Sequence, residues 1–297
     1  ATGTELVSLW IPTSTFNLTA GRKVAVSVGF VCGSGGKICA GGGLQFYTFA
    51  NADAASANPS RVRADNQGFL SMYLEFEFVD ATAPVIMVVS NSTAGGGNTA
   101  LLANRGELDS WHQQWALNRK GIAANLACGG SWANMFGSSS AKWNYYSTLS
   151  TALSVDAVYF WNLASSDITT GTALATVKAS VIAATLKARA LWPSAKLIHT
   201  TISPRSDNTA GTIESNRLAL NAWLATCPGG ADACIDINAI LAAPVSIVDN
   251  GDGTTSIALP NSAQPGRLNT AFDSGDGVHY APLGHVAVQP LIHARRI

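Results

Sequence analysis

Val85-Ile86-Met87-Val88-Val89 is an unbroken apolar run. Successive strand residues point to opposite faces, so such a run needs both faces covered. The interior of a parallel sheet with helices on each side supplies that environment. Downstream, apolar runs alternate with segments of helical spacing. A helix is predicted from about Glu107 to Leu117, with Trp111 and Trp115 one turn apart, then a strand from Ile122 to Ala127. A helix near Lys142 to Leu153 and a strand from Val155 to Trp161 follow. An Ala-rich helix runs from about Ala173 to Leu191, stopped by Pro193. Next come a strand from Leu197 to Thr201, a helix from Ile213 to Ala225 and a short buried strand, Ile235-Asp236-Ile237. Ser246 to Leu259, centred on Asn250-Gly251-Asp252-Gly253, reads as a hairpin, and a last helix begins near Pro282. The alternation predicts an α/β domain with a parallel sheet over residues 83–297.

Residues 1–82 carry a different pattern. Val24 to Val28 and Leu70 to Val79 alternate, Leu44 to Phe49 follows a glycine triplet, and Gly, Asn, Asp and Ser clusters separate them. These features predict a small all-β domain, a sheet or sandwich, ahead of the α/β domain.

Charge narrows the partners. The 297 residues carry 18 basic and 18 acidic side chains, for a formal net charge of +0. A nucleic-acid or anionic-membrane partner calls for a basic patch, and no Lys/Arg run exists here. No apolar run approaches the roughly 18 residues of a membrane-crossing helix.

Cysteine spacing bears on compartment. Cys32 and Cys39 bracket a Gly-rich loop, and Cys227 and Cys234 bracket Pro228-Gly229-Gly230. Two equally spaced pairs across turns predict local disulfides and hence a secreted or periplasmic protein; the alternative is four reduced thiols. Neither pair has the spacing of a zinc site, and Cys128 is left over as a buried free thiol.

Parallel sheets of this kind place their sites outside the carboxyl ends of the strands. Four polar segments lie there: Ser90 to Asn98 after the first strand, Gly129-Gly130 after the second, Ser165-Ser166-Asp167 after the third, and Asp276-Gly277-Val278-His279 before the last helix. An Asp three residues ahead of a His can orient the imidazole and hold its tautomer, and a nearby serine then gains a base.

With those residues in view, residues 84–297 resemble the SGNH/GDSL hydrolase family. The first family block, a strand ending in Gly-Asp-Ser, corresponds to Ser90-Asn91-Ser92 with Gly95 beyond. The second corresponds to Cys128-Gly129-Gly130-Ser131, and the third, Gly-x-Asn-Asp, to Ala164-Ser165-Ser166-Asp167. The last corresponds to Asp276, His279, Gly284 and His285. The resemblance implies a three-layer αβα, flavodoxin-like domain. It further implies a serine esterase that acts through an acyl-enzyme on small acyl esters or acetylated saccharides, with no cofactor or metal. Ser92 would be the nucleophile, His279 the base and Asp276 its partner. The oxyanion hole would be built from Ser92, Gly130 and Ser166. Two positions depart from the family: Asn91 stands for Asp, and Ser166 for the Asn that donates to the oxyanion. Asn162 is a substitute for that donor, if it can leave its strand. The rival is a non-catalytic glycan-binding or adhesion protein on the same fold.

Other residues take plainer readings. Ser131 follows two glycines but lacks the last Gly of G-x-S-x-G. His112 and His199 are read as structural, His285 as packed or bonded within the last helix, and His293 as near the tail. Asp249 to Gly253 lacks the distal Glu of a calcium loop. Trp132 and Trp161 flank the inferred site, either as an apolar or sugar-stacking wall or as core.

Overall fold

β1 (Val85–Ser90) is the middle of the sheet's first half. It pairs in parallel with β2 (Ile122–Asn125) on one side and β3 (Ala157–Trp161) on the other. β4 (Lys196–Thr200) follows β3 and β5 (Ala233–Ile235) closes the edge, so the strand order is β2-β1-β3-β4-β5. All pairs are parallel, which is the doubly wound arrangement with the order 2-1-3-4-5. The computed structural model describes residues 83–94, 110–127, 130–137, 143, 154–207, 211–242, 246–249, 255–258 and 267–294. All of these belong to one compact unit. The β domain expected over residues 1–82, the Cys32/Cys39 pair, Cys128 and nearly all of the helix expected near 142–153 lie outside the described residues.

Helices cover both faces, as the apolar runs require. Met87, Val89, Val158, Phe160 and Leu197 face one layer. There they meet α3 (Leu174–Leu191) and α4 (Thr212–Leu224). The inward stripe of α3 is Val177, Val181, Ala184 and Ala188, at the 4-3-4 spacing of one helical face. Fully burying a Val side chain is worth about 1.5–3 kcal/mol, so packing rather than helix propensity fixes α3. Ile86, Val88, Tyr159, Trp161 and Ile198 face the other layer. Trp111 and Trp115 of α1 (Trp111–Arg119), Ile237 and Leu241 of α5 (Ile237–Leu241), and Val288 and Ile292 of α6 (Pro282–Ala294) meet them. Helix, sheet, helix: the three layers are complete. β6 (Ser246–Asp249) and β7 (Thr255–Ala258) form the expected antiparallel hairpin.

Two expectations change. β5 ends at Ile235, two residues short of the expected strand. Asp236 instead caps α5, its Oδ1 accepting from the Ala239 N–H at 3.2 Å. The local disulfide expected between Cys227 and Cys234 is not formed; both are half-buried thiols. They line one groove of about 480 Å³. Arg189 staples that turn instead, donating to the Gly230 carbonyl at 3.2 Å and to Asp232 Oδ2 at 2.7 Å, while the β4 ladder pairs Cys234 with His199.

Candidate active site

β1 ends where the sheet ends, and its chain turns sharply at once. Asn91 drives that turn: its Oδ1 accepts from the Thr93 N–H at 3.0 Å and from the Thr93 hydroxyl at 2.8 Å. Its Nδ2 donates to the Asn162 carbonyl at the end of β3, at 2.9 Å. An aspartate could not make that last bond, so Asn91 fits this chain's version of the turn. From the other side, Asn125 at the end of β2 donates to the Ala94 carbonyl at 2.9 Å. The same side chain takes the Ala127 N–H, so the strand predicted to run to Ala127 stops at Asn125, with the Leu126 N–H as its last bond to β1. Ser92 thus sits in a turn clamped from both neighbouring strands, and it is half-buried.

The segment before α6 brings the other partners. Asp273 Oδ1 accepts from Gly275 and Gly277 at 2.8 and 2.9 Å, folding the loop on itself. Gly277 has φ 76°, and a Cβ there would lie 2.7 Å from the Asp207 nitrogen. Its carbonyl also accepts from the Ser206 N–H at 2.8 Å, against the chain that leaves β4. Within this loop Asp276 Oδ1 accepts from the Val278 and His279 N–H groups at 2.9 and 2.8 Å. Its Oδ2 lies 2.5 Å from His279 Nδ1. A carboxylate has no proton to give, so Nδ1 carries the hydrogen and Nε2 is left as acceptor. Nε2 is 2.7 Å from Ser92 Oγ. Ser92, His279 and Asp276, expected from sequence to act together, are therefore within hydrogen-bond reach in series.

Ser166 is half-buried in the first turn of α2 (Ser165–Thr169), which starts soon after β3 beside the end of β1. Gly130 is exposed, with φ 70°. Asp167 joins these two segments, accepting from the Ala133 N–H at 2.9 Å, and burial raises its pKa above the usual carboxylate range. Asn162 is not available as a substitute donor. It is fully buried, and its side-chain oxygen accepts from the Ser203 N–H at 3.0 Å while its amide faces Thr93 and Tyr280.

The remaining candidates fall outside the site. Ser131 is 1% exposed. His112 meets Ser110 Oγ through Nε2 at 3.2 Å, and His199 meets Thr185 Oγ1 at 3.2 Å across the sheet–α3 interface. Burial depresses the His199 pKa to about 4. His285 bonds outside its own helix: its Nδ1 accepts from the Trp111 N–H at 3.3 Å, tying α6 to α1, and burial pushes its pKa down to about 3. Trp161 is fully buried in the core, not a wall of the site. Among the described residues no cluster of His, Cys, Asp or Glu could hold a metal ion, and no helix is long and apolar enough to cross a membrane. Sequence reading missed the parts played by Asn125, Thr93 and Tyr280. A lone Asn closing the strand Ile122–Asn125 was the available signal for the first.

No family model matches the sequence, and no curated protein matches it. Solved structures do. A protein assigned to the G-D-S-L family of lipolytic proteins from Desulfitobacterium hafniense DCB-2 is 10% identical, with a TM-score of 0.49 over 71% of this chain and 98% of that one. A phospholipase A1 from Streptomyces albidoflavus NA297 is 16% identical, with a TM-score of 0.46 over 72% of this chain and 100% of that one. The psychrotrophic esterase EstA of a Pseudoalteromonas species is 12% identical, with a TM-score of 0.44 over 71% and 92%. The fold itself rests on the strand order and the two helix layers described above.

Proposed function

We propose that the protein is a serine ester hydrolase of the SGNH/GDSL type. The observation that carries this reading is the 2.7 Å approach of His279 Nε2 to Ser92 Oγ, with Asp276 on the opposite ring nitrogen. His279 takes the hydroxyl proton as Ser92 Oγ attacks an ester carbonyl. Asp276 fixes the tautomer and stabilises the imidazolium that results. The carbonyl oxygen gains charge, and the N–H groups of Ser92 and Gly130 and the hydroxyl of Ser166 are the donors assigned to it. When the tetrahedral intermediate collapses, the imidazolium protonates the departing alcohol and leaves an acyl-Ser92. Water, deprotonated by His279, then releases the acid and restores the serine. No step calls on a cofactor.

The substrates proposed are small acyl esters or acetylated saccharides. Ser92 and His279 are each only partly buried, so an ester can reach them from solution. We further propose that the protein works in an oxidising compartment, a reading now supported by the Cys32/Cys39 spacing alone. Mass spectrometry of native protein, with and without reductant, tests it: a Cys32–Cys39 cross-link is expected, and two free thiols would remove the support.

Activity is tested with p-nitrophenyl acetate and a fluorophosphonate probe. Wild type is expected to hydrolyse the ester and be labelled at Ser92, and Ser92→Ala and His279→Ala are expected to lose about 10³-fold or more in kcat. Full activity in either variant, or a folded wild type that neither turns over nor is labelled, would sink the catalytic reading.

A further inference from the structure

We infer that Asn162 is a positioning residue, holding the turn that bears Ser92 against the segment that bears His279. The inference rests on the catalytic reading above and adds a residue to it. The two reactive side chains are 187 positions apart in sequence, and each is attached to a short loop beyond the sheet. Something must set the distance between those loops, and the ladder of β1 does not reach the loop before α6.

Asn162 stands between them. It is the first residue after β3, it is fully buried, and it has φ 49°. A left-handed conformation at a non-glycine residue costs on the order of 1 kcal/mol and persists only where the surroundings enforce it. Here the enforcement is visible atom by atom. Its N–H donates to Thr200 Oγ1 at 2.8 Å, and its carbonyl accepts from Asn91 Nδ2 at 2.9 Å. Its Oδ1 accepts from the Ser203 N–H at 3.0 Å. Nδ2 remains, and it points to two hydroxyls: Thr93 Oγ1 at 3.3 Å and Tyr280 OH at 3.4 Å.

Those two residues are the immediate sequence neighbours of Ser92 and His279. Thr93 and Tyr280 are both buried, so neither hydroxyl has water to turn to. Burial also pushes the Tyr280 phenol well above its ordinary range, so its O–H keeps its proton. One amide group therefore bridges the nucleophile's neighbour and the base's neighbour. Three strand ends meet there: Asn91 follows β1, Asn162 follows β3, and Thr200 and Ser203 close and follow β4.

Misplacing reacting groups by about 1 Å can cost on the order of 10² in rate, and Thr93 and Tyr280 are the points where such a shift would enter. The experiment uses the whole chain, p-nitrophenyl acetate, and the rate of fluorophosphonate labelling. The variants are Thr93→Val, Thr93→Ser and Tyr280→Phe, each checked by thermal melting. Thr93→Val and Tyr280→Phe are expected to lower kcat and the labelling rate about 10- to 100-fold with KM within about twofold, because the bridge acts on the reacting pair and not on substrate binding. Thr93→Ser, which keeps the hydroxyl, is expected to return kcat to within about threefold of wild type. An active wild type with Thr93→Val and Tyr280→Phe both near wild-type kcat would overturn the inference. So would a Thr93→Ser enzyme as slow as Thr93→Val, since the methyl and not the hydroxyl would then matter. Should Thr93→Val fail to fold, Tyr280→Phe alone decides. A wild type that neither hydrolyses nor labels would instead fail the catalytic reading and take the inference with it.

Discussion

Asp276 uses its two carboxylate oxygens for different work. One holds the loop through the Val278 and His279 N–H groups, and the other faces His279 Nδ1. Asp276→Asn separates the two jobs. The amide can keep its oxygen on the backbone, but its NH₂ then meets Nδ1, and the ring must hold its hydrogen at Nε2. That tautomer cannot accept the Ser92 proton. The expected outcome is a loss of about 10⁴ in kcat on p-nitrophenyl acetate with the near-UV circular dichroism unchanged. Asn91 illustrates a different point at this scale. The SGNH/GDSL pattern that the sequence resembles has Asp there, yet here the Asn91 amide donates to the Asn162 carbonyl. We expect Asn91→Asp to lower the thermal midpoint, since a buried carboxylate would face a carbonyl oxygen; an unchanged midpoint would argue against that bond.

At the scale of elements, α4 is held by a buried cation. Arg217 is 2% exposed; it pairs with Glu214 through Nε at 2.7 Å and donates through Nη1 to the Ile202 carbonyl at 2.9 Å and to Asn238 Oδ1 at 2.6 Å. It therefore links α4 to the chain leaving β4 and to α5. Arg217→Ala is expected to cost about 3–5 kcal/mol, because the largely buried Glu214 loses its ion-pair partner and Asn238 its donor, while the Ile202 carbonyl keeps only Asn221; the shift in urea midpoint measures it. β1 and β3 were legible in the sequence, since Val85 to Val89 and Ala157 to Trp161 are apolar or aromatic throughout, and β4 was found through Leu197 and Ile198 although His199 and Thr200 follow them. β5 was placed two residues late, because Ile235-Asp236-Ile237 reads as a strand until Asp236 is seen to cap a helix. The pair Asp276 and His279 was legible for a similar reason: three residues suffice to join them. Ser92 followed from its place after β1. The bond from Asn162 to Tyr280 spans 118 positions and has no local signature, so only the folded chain discloses it.

Across the whole molecule, two buried histidines set the response to acid. His199 lies between the sheet and α3, and His285 between α1 and α6, with pKa values near 4 and 3 because burial disfavours the charged ring. Both are depressed below the unfolded value of about 6.5, so the unfolded chain binds protons first as pH falls. Their contribution is fully present above about pH 6.5 and is lost progressively below it, at up to roughly 1.4 kcal/mol per pH unit for each ring. Asp167, whose pKa is raised, acts in the opposite direction as it takes up its proton. Urea midpoints measured from pH 7 to pH 4.5 are expected to fall steeply, and His199→Gln to flatten the slope.

β1 is bonded on both sides, whereas the loop before α6 is held by its own short bonds, by Ser206 and, through Tyr280, by the single amide of Asn162. The two halves of the reacting pair therefore belong to regions of unequal resistance to opening. Backbone amides of the central strands are expected to exchange with solvent only when the whole domain unfolds, and those around Gly275 to Val278 through local excursions. On warming, His279 is expected to leave its place before Ser92 does, so loss of p-nitrophenyl acetate turnover should precede the melting transition and reverse on cooling.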